Sequence, residues 1–225
     1  MRPAPRDLEP LLAGEFRVQR GFSYPRETWR GWTGHLDRNG SMLAGLPPEL
    51  DRATAAHLVE DLLPRDVTAA FTVAMIWGHG STGYGPYRTA TILTASRSPK
   101  NVPVDATVRG RLGESVEVAR EAGSVEGYRF LNNRPGKVSG LGPAFFTKWL
   151  YFVTARGEAR SASAAPVLDG LVLAWLTARG VPLRAGYTDD YARYVETLTH
   201  WGAPHGLAPV AVEERIFRLI RDDGV

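Results

Sequence analysis

The sequence predicts a mostly α-helical fold, and three observations support this prediction. Apolar residues recur at helical spacing along most of the 225-residue chain. Prolines, glycines and acidic residues flank these segments at places where they favour the start or the end of a helix. Strand signals are few, and the best of them, VPVDATV at residues 102–108, is short. We therefore expect roughly eight to ten helices joined by short loops.

The helices are expected to form one domain behind an N-terminal extension. Residues 1–47 are rich in Arg, Gly and Pro, which predicts an irregular extension with one short helix, packed on a helical domain at residues 48–225. In that domain, prolines bracket a helix within residues 46–64, and Asp66 caps an apolar helix that ends at Trp77. Further helices are predicted at residues 87–96, 104–122, 125–132, 143–154, 166–179, 189–201 and 210–222, the last two closing the core.

Composition excludes several classes of function. The chain is 44% hydrophobic and 23% charged, as in globular proteins, and it has no apolar run of about 18 residues and no apolar leader, so neither a membrane helix nor a secretory signal is expected. The absence of cysteine rules out disulfides, thiolate metal sites and cysteine nucleophiles. No His, Asp and Glu set has metal spacing, so no metal or cofactor is expected. The net charge of +3 permits a nucleic-acid partner without requiring one.

Lys148 is the least ordinary charged residue in the sequence. Only three of the 27 Lys and Arg residues are Lys, and two of these, Lys100 and Lys137, lie in loops rich in Pro and Gly. Lys148 instead lies in the apolar helix PAFFTKWLYFVTA, on the stripe left beside a wide buried face. A buried amine, unlike a guanidinium, can lose its proton and become a nucleophile. The alternative is that its stem packs on apolar residues while its amine reaches water.

The segment before this helix predicts a tight turn at a helix N-terminus. Gly140 and Gly142 allow a sharp change of direction, and Pro143 suits the first helical position. Amide N–H groups at such a turn bind phosphate without regard to sequence. The alternative is a plain connection between two helices of the core.

Asp169 is the candidate partner of Lys148, from which it is separated by 21 positions. It opens a second apolar helix, where an Asp is most simply an N-cap that accepts hydrogen bonds from amides of the first turn. A capped carboxylate stays ionised and fixed in place. The same group could therefore stabilise positive charge on a sugar carbon or orient an amine.

The order of these features resembles the helix-hairpin-helix DNA glycosylases, the superfamily of the 8-oxoguanine and endonuclease III-type enzymes. The matching stretch covers residues 133–176. The resemblance implies that Gly140, Leu141 and Gly142 form a hairpin that holds DNA phosphates, with Lys137 beside it. It also implies that Lys148 is the catalytic amine and Asp169 the catalytic carboxylate of a divergent 8-oxoguanine glycosylase fold.

One position departs from the family pattern. The lysine of the family comes two residues after the second Gly of the hairpin, where this sequence has Ala144. Lys148 lies one turn further along the helix. Because residues at i and i+4 share a helix face, an amine at 148 could reach the same pocket. The resemblance therefore implies base release directly, whereas strand cleavage through a Schiff base depends on where that amine lies.

The resemblance extends to residues 71–93, which are similar to the helix–loop–helix with which the family probes DNA where a base has left the stack. By that resemblance Trp77, His79, Tyr84 and Tyr87 face the DNA or the extruded base, and Arg88 contacts the DNA, since aromatic side chains stack on bases and Arg binds phosphate. The alternative is a surface loop whose aromatic side chains pack locally.

The resulting hypothesis is a monomeric DNA glycosylase, in the cytoplasm and associated with the nucleoid, that flips a modified base out of double-stranded DNA. Oxidised guanine follows from the resemblance alone, and a modified base of bacteriophage DNA, excised in antiviral defence, is an alternative. Two further alternatives are a catalytically inactive DNA-binding module of the same fold, which Ala144 favours, and a helical protein without a nucleic-acid partner.

Overall fold

The computed structural model describes residues 2–15, 18–37 and 39–222, and these residues form a mostly α-helical fold, as predicted. The elements are α1 (Glu9–Ala13), β1 (Phe22–Ser23), α2 (Arg26–Thr33), α3 (Asn39–Gly45), β2 (Glu49–Leu50), α4 (Arg52–Leu62), α5 (Val67–His79), α6 (Gly85–Leu93), α7 (Ala106–Ala122), α8 (Ser124–Asn132), α9 (Pro143–Ala155), α10 (Gly170–Ala178), α11 (Thr188–Gly202), a 3₁₀ turn (Ala203–His205) and α12 (Pro209–Asp222).

Acidic caps place the starts of the central helices where the sequence predicts them. The Asp66 carboxylate accepts hydrogen bonds from the first-turn amides of α5, both at 3.0 Å. The best strand signal of the sequence, at residues 102–108, does not form a strand, because Asp105 within it caps α7, in line with the helix predicted at residues 104–122, and accepts from the Val108 amide at 2.9 Å. The second half of that segment is therefore the first turn of a helix, and the cap outweighs the β-branched residues around it.

α5 and α9 form the centre of the core. Every side chain from Thr68 to Ile76 is buried, and so is every side chain from Phe146 to Ala155 except Lys148. The stripe of α9 that carries Lys148 is therefore enclosed by protein too, since Tyr151 on that stripe is fully buried. An ionisable side chain in such surroundings either finds polar partners or loses its charge.

The N-terminal extension is more regular than the sequence predicts. It forms α1, α2 and α3 instead of one short helix, and β1 pairs antiparallel with β2 so that Phe22 lies opposite Leu50. Helices of five to eight residues are marginal in isolation, so packing decides whether they form. Leu8 and Trp29 are fully buried in the same cluster as the core helices. The domain boundary at residue 47 stays a prediction.

An extended segment at residues 164–169 replaces the first turn of the helix predicted at 166–179. The hydroxyls of Tyr191 and Tyr194 donate to the carbonyls of Pro166 and Val167, at 3.0 and 2.8 Å. The Leu168 amide donates to the Thr147 hydroxyl of α9 at 3.2 Å. Because these side chains satisfy the buried backbone, the chain stays extended until α10 begins at Gly170. The same bonds hold the residue before α10 in a fixed place.

Candidate active site

A cleft of about 740 Å³ opens between the N-terminal segment, the C-terminal end of α5, α9, the start of α10 and α12. Lys148 and Asp169 both line it, together with Trp77, Gly78 and His79 from the end of α5. The lining also includes residues 18–20, 22 and most of residues 213–221. The structure therefore brings the two predicted catalytic side chains together in one cavity.

The Lys148 amine is held inside this cleft. It donates a hydrogen bond to the Gly78 carbonyl at 2.8 Å, and its Nζ lies 3.8 Å from Oδ2 of Asp169 and 5.0 Å from the centre of the Phe145 ring. The side chain is 14% exposed, so the amine does not extend into bulk water. Burial lowers the pKa of Lys148, and the Asp169 carboxylate opposes that shift.

Glycine at position 78 lets α5 approach the stem of this lysine. A Cβ atom there would lie 3.0 Å from Cδ of Lys148, which is tighter than ordinary van der Waals contact. The close approach places the Gly78 carbonyl, at the C-terminal end of α5, against the amine. A helix C-terminus carries partial negative charge, which suits an amine that donates a hydrogen bond.

Asp169 caps α10 and faces the amine with different oxygen atoms. Its Oδ1 accepts hydrogen bonds from the amides of Leu171 and Val172 at 3.1 and 3.2 Å, which confirms the predicted N-cap. Its Oδ2 is the atom that lies 3.8 Å from Lys148. The capping role therefore fixes the carboxylate and leaves one oxygen turned to the cleft.

The hairpin before α9 has the predicted turn. Gly140 has φ +80°, a conformation that favours glycine, and the Leu141 side chain is buried beneath it. The Leu141 amide donates to the Val138 carbonyl at 3.2 Å, so it is engaged within the turn. Gly142 is the N-cap residue of α9, and in the described part of the chain this helix has no side-chain cap. Phosphate binding by this N-terminus stays a prediction.

Arg88 and Lys137 lie beside the hairpin. The Arg88 guanidinium donates to the Gly140 carbonyl at 3.3 Å and lies 4.8 Å from the centre of the Phe145 ring. Lys137 is exposed, and its carbonyl accepts from Arg111 at 2.8 Å. Both cations are therefore on the surface that carries the turn, in line with the predicted contact with a phosphate backbone.

A comparison with protein families supports the resemblance seen in the sequence. A family model described as "Putative 8-oxoguanine DNA glycosylase OGG-like protein" matches residues 17–217. That range includes the hairpin, Lys148, Asp169 and the cleft-lining part of α5. The chain belongs to this OGG-like family. No curated protein and no solved structure gave a match.

In this OGG-like chain, Trp77 and His79 form one wall of the cleft. The His79 ring stacks on Phe145 with centroids 4.2 Å apart and an angle of 28° between the planes. It also lies against Gly85, where a Cβ atom would come within 2.5 Å of the imidazole. The Trp77 ring packs edge-on against Phe152 at 5.2 Å. Trp77 and His79 therefore both line the cleft, and their contact with a base stays a prediction.

Tyr84 and Tyr87 do not line the cleft. The Tyr87 hydroxyl donates to the Arg97 carbonyl at 3.0 Å, and its ring packs edge-on against Trp32 at 5.0 Å. The ring therefore lies outside the cleft, because α2 of the N-terminal extension supplies a partner for it, and its contact with DNA stays a prediction. Tyr84 is 63% exposed at the tip of the loop before α6, where a role in probing DNA stays a prediction.

Several residues at the candidate site were not predicted from the sequence. Phe145, an apolar residue in the first turn of α9, contacts the amine and His79. Arg52 of α4 and Glu213 of α12 form a buried ion pair with N–O distances of 2.9 and 3.3 Å, and Phe217 of α12 lines the cleft. α12 therefore closes the core, as predicted, and also borders the site. In the sequence, Glu213 is one acidic residue on an amphipathic helix, and nothing in its local pattern distinguishes a buried carboxylate from a solvated one.

The titration of His79 gives a stability prediction. Burial, reinforced by the nearby Lys148 and Arg88 cations, lowers the pKa of His79 from 6.5 to about 4. Between these values the unfolded chain binds a proton that the folded protein does not, so the free energy of unfolding falls as the pH falls. We expect His79→Phe, which can keep the stack on Phe145, to lose less thermal stability between about pH 7 and about pH 4.5 than the parent protein. Equal losses in the two melting curves would contradict a neutral, half-buried His79.

Neither a metal site nor a membrane span is found in the part of the chain that the structure describes. In that part, no three His, Asp or Glu side chains come close enough to share a metal ion. None of its helices combines the length and the apolar character that crossing a membrane requires.

Proposed function

We propose that this protein is a DNA glycosylase in which Lys148 is the nucleophile and Asp169 stabilises the charge that forms on the sugar. One observation carries the proposal: a largely buried amine and a capped carboxylate, with Nζ and Oδ2 3.8 Å apart, face the same cleft. Membership of the OGG-like family supports the choice of substrate, a duplex that contains 8-oxoguanine or a similarly modified base. A cleft of about 740 Å³ is within the volume range of sites for small organic groups.

The position of the amine suits attack on the anomeric carbon of an extruded nucleotide. A neutral amine keeps N–H groups to donate to the Gly78 carbonyl while its lone pair is free. Attack forms a bond between Nζ and C1′ and breaks the bond from C1′ to the base, whose electron pair leaves with the base. The proton that the amine loses passes to the departing base. Opening of the sugar ring then gives a Schiff base, and O4′ takes a proton from solvent.

Asp169 would act through charge. As the base departs, positive charge develops on C1′ and O4′ of the sugar, and a fixed carboxylate stabilises it in a site with little water. Because α10 holds Oδ1 through two amides, Oδ2 is oriented before the reaction and needs no reorganisation. A carboxylate next to the amine also favours the correct placement of that amine.

The surface around the cleft suits a DNA backbone. The hairpin precedes the N-terminus of α9, its residues Ser139 and Gly140 are exposed, and Arg88 and Lys137 lie beside it. Helix N-termini and cations bind phosphate without reading sequence, so they would fix the duplex while the cleft receives the base. Strand cleavage after base release would require a further step, elimination from the Schiff base.

The proposal is tested by base release from matched duplexes. We expect the protein to release 8-oxoguanine from a duplex oligonucleotide and to leave an otherwise identical duplex with guanine intact. DNA binding should weaken as salt increases, because phosphate contacts release counterions. A parallel duplex with hydroxymethylated or glucosylated cytosine tests the bacteriophage-base alternative. Binding without release from any duplex would instead identify a catalytically inactive DNA-binding module.

A further inference from the structure

A buried ion pair lies in the lining of the cleft that holds the amine. The Arg52 guanidinium donates to both carboxylate oxygens of Glu213, at 2.9 and 3.3 Å, and the two side chains are 5% and 1% exposed. The same guanidinium lies 5.1 Å from the centre of the Trp77 ring and 5.0 Å from that of Tyr151. Both members of the pair line the cleft. A pair this deeply buried is costly to desolvate, so it is weak evidence for a role in stability alone.

The two aromatic rings connect the pair to the amine. Trp77 directly precedes Gly78, whose carbonyl holds the Lys148 amine at 2.8 Å. Tyr151 lies on α9 one turn after Lys148, and its ring is fully buried. The Arg52 guanidinium, in contact with both rings, therefore braces the end of α5 and the part of α9 from which the lysine extends.

We propose that the Arg52–Glu213 pair is a positioning element for the Lys148 amine: it fixes the backbone that holds the amine and presents no net charge to it. This inference rests on the proposed function, since it assigns both residues to the site of the nucleophile. It goes beyond that function because neither residue belongs to the hairpin, the amine or the cap. Precise placement of a reacting group can contribute several orders of magnitude to a rate.

The charges around Lys148 explain why the pair must be complete. The amine faces Asp169 from the start of α10, Glu213 from α12, Arg52 from α4 and neutral His79 from α5. Glu213 alone would favour the ammonium form, and Arg52 alone would disfavour it. Because the two charges are paired, their effects oppose each other, and burial together with Asp169 dominates the pKa of the amine.

The chain offers a direct measurement of this balance, because Lys148 is one of only three lysines. Protein labelled with ¹³C at lysine Cε gives three side-chain signals, and Lys148→Arg identifies the one from position 148. Glu213→Gln, which leaves Arg52 unopposed, should move the titration midpoint of Lys148 to lower pH by about half a pH unit or more. Arg52→Gln, which leaves Glu213 unopposed, should move it to higher pH. A midpoint that does not move, or that moves the other way, in either variant overturns the proposal.

The opposite directions separate this role from a structural one. Loss of stability alone would lower the melting temperature of both variants and move neither midpoint. If one variant does not fold, the other still decides the outcome. Glu60 lies on α4, like Arg52, but outside the cleft lining, and its carboxylate pairs with Arg120 of α7. Glu60→Gln removes this carboxylate and should leave the Lys148 midpoint unchanged. A shift there equal to that of Glu213→Gln also overturns the proposal. Failure of the proposed function would appear instead as absence of base release by the parent protein.

Discussion

Lys148→Ala should abolish base release while leaving DNA binding nearly intact. The substitution removes the only amine that lies in the cleft among the residues that the structure describes, and with it the bond to C1′. Loss of a catalytic nucleophile typically costs about a thousandfold or more in rate, so single-turnover release of 8-oxoguanine should fall by at least that factor. The measurement is the rate of base release at saturating enzyme, with the dissociation constant for the same duplex measured at fixed salt.

Two further variants make this prediction specific. Lys148→Arg keeps the positive charge and a donor for the Gly78 carbonyl, but a guanidinium does not lose its proton, so it should be as inactive as Lys148→Ala. Lys100→Ala removes an amine that lies over Trp32 outside the cleft, and it should keep the parental rate. Activity in Lys148→Arg would show that charge at this position, rather than nucleophilic attack, supports the reaction.

Asp169→Asn should lower the rate of base release by about a hundredfold or more, because the fixed negative charge beside the sugar is lost. Asn is about as good an N-cap as Asp, so α10 should remain capped and the melting temperature should change little. DNA affinity at a given salt concentration should also be preserved. The measurements are single-turnover base release and a thermal melt on the same preparation.

The chain provides a matched control for the cap. Asp105 caps α7 through the Val108 amide at 2.9 Å, and it does not line the cleft. Asp105→Asn should therefore change the melting temperature as little as Asp169→Asn does and leave base release at the parental rate. If Asp169→Asn keeps the parental rate of base release, Asp169 is only a structural cap and the catalytic assignment is wrong.

Local sequence patterns predict the helical core and the two central residues of the site. Lys148 is recognisable because an isolated amine lies in an apolar helix of an Arg-rich chain, and Asp169 because acidic N-caps precede apolar helices. Ala144 stands where the family has its lysine, and the amine one turn further on lies 3.8 Å from the Asp169 carboxylate, so whether Lys148 replaces the family lysine stays a prediction. Local patterns were sufficient to select these two residues, because each has an unusual position within its own element: Lys148 in α9 and Asp169 at the start of α10.

The remainder of the site depends on contacts between distant segments. Arg52 and Glu213 are 161 positions apart, and neither has an unusual local context. The packing of Tyr87 on Trp32 was equally unpredictable, because it requires α2 to fold onto the core. The extended segment before α10 exists because Tyr191 and Tyr194 of α11 satisfy its carbonyls. Local propensity contains no information about such partners.

The most direct test of the central claim is the identity of the residue that bonds to DNA. The protein is incubated with a duplex containing 8-oxoguanine in the presence of borohydride, which reduces a Schiff base to a stable amine, and the adduct is mapped by mass spectrometry. With three lysines in the chain, the modified peptide identifies the nucleophile without ambiguity. An adduct on Lys148 is the predicted result. An adduct on Lys100, on Lys137 or on the terminal amine, or base release with no adduct at all, would contradict it.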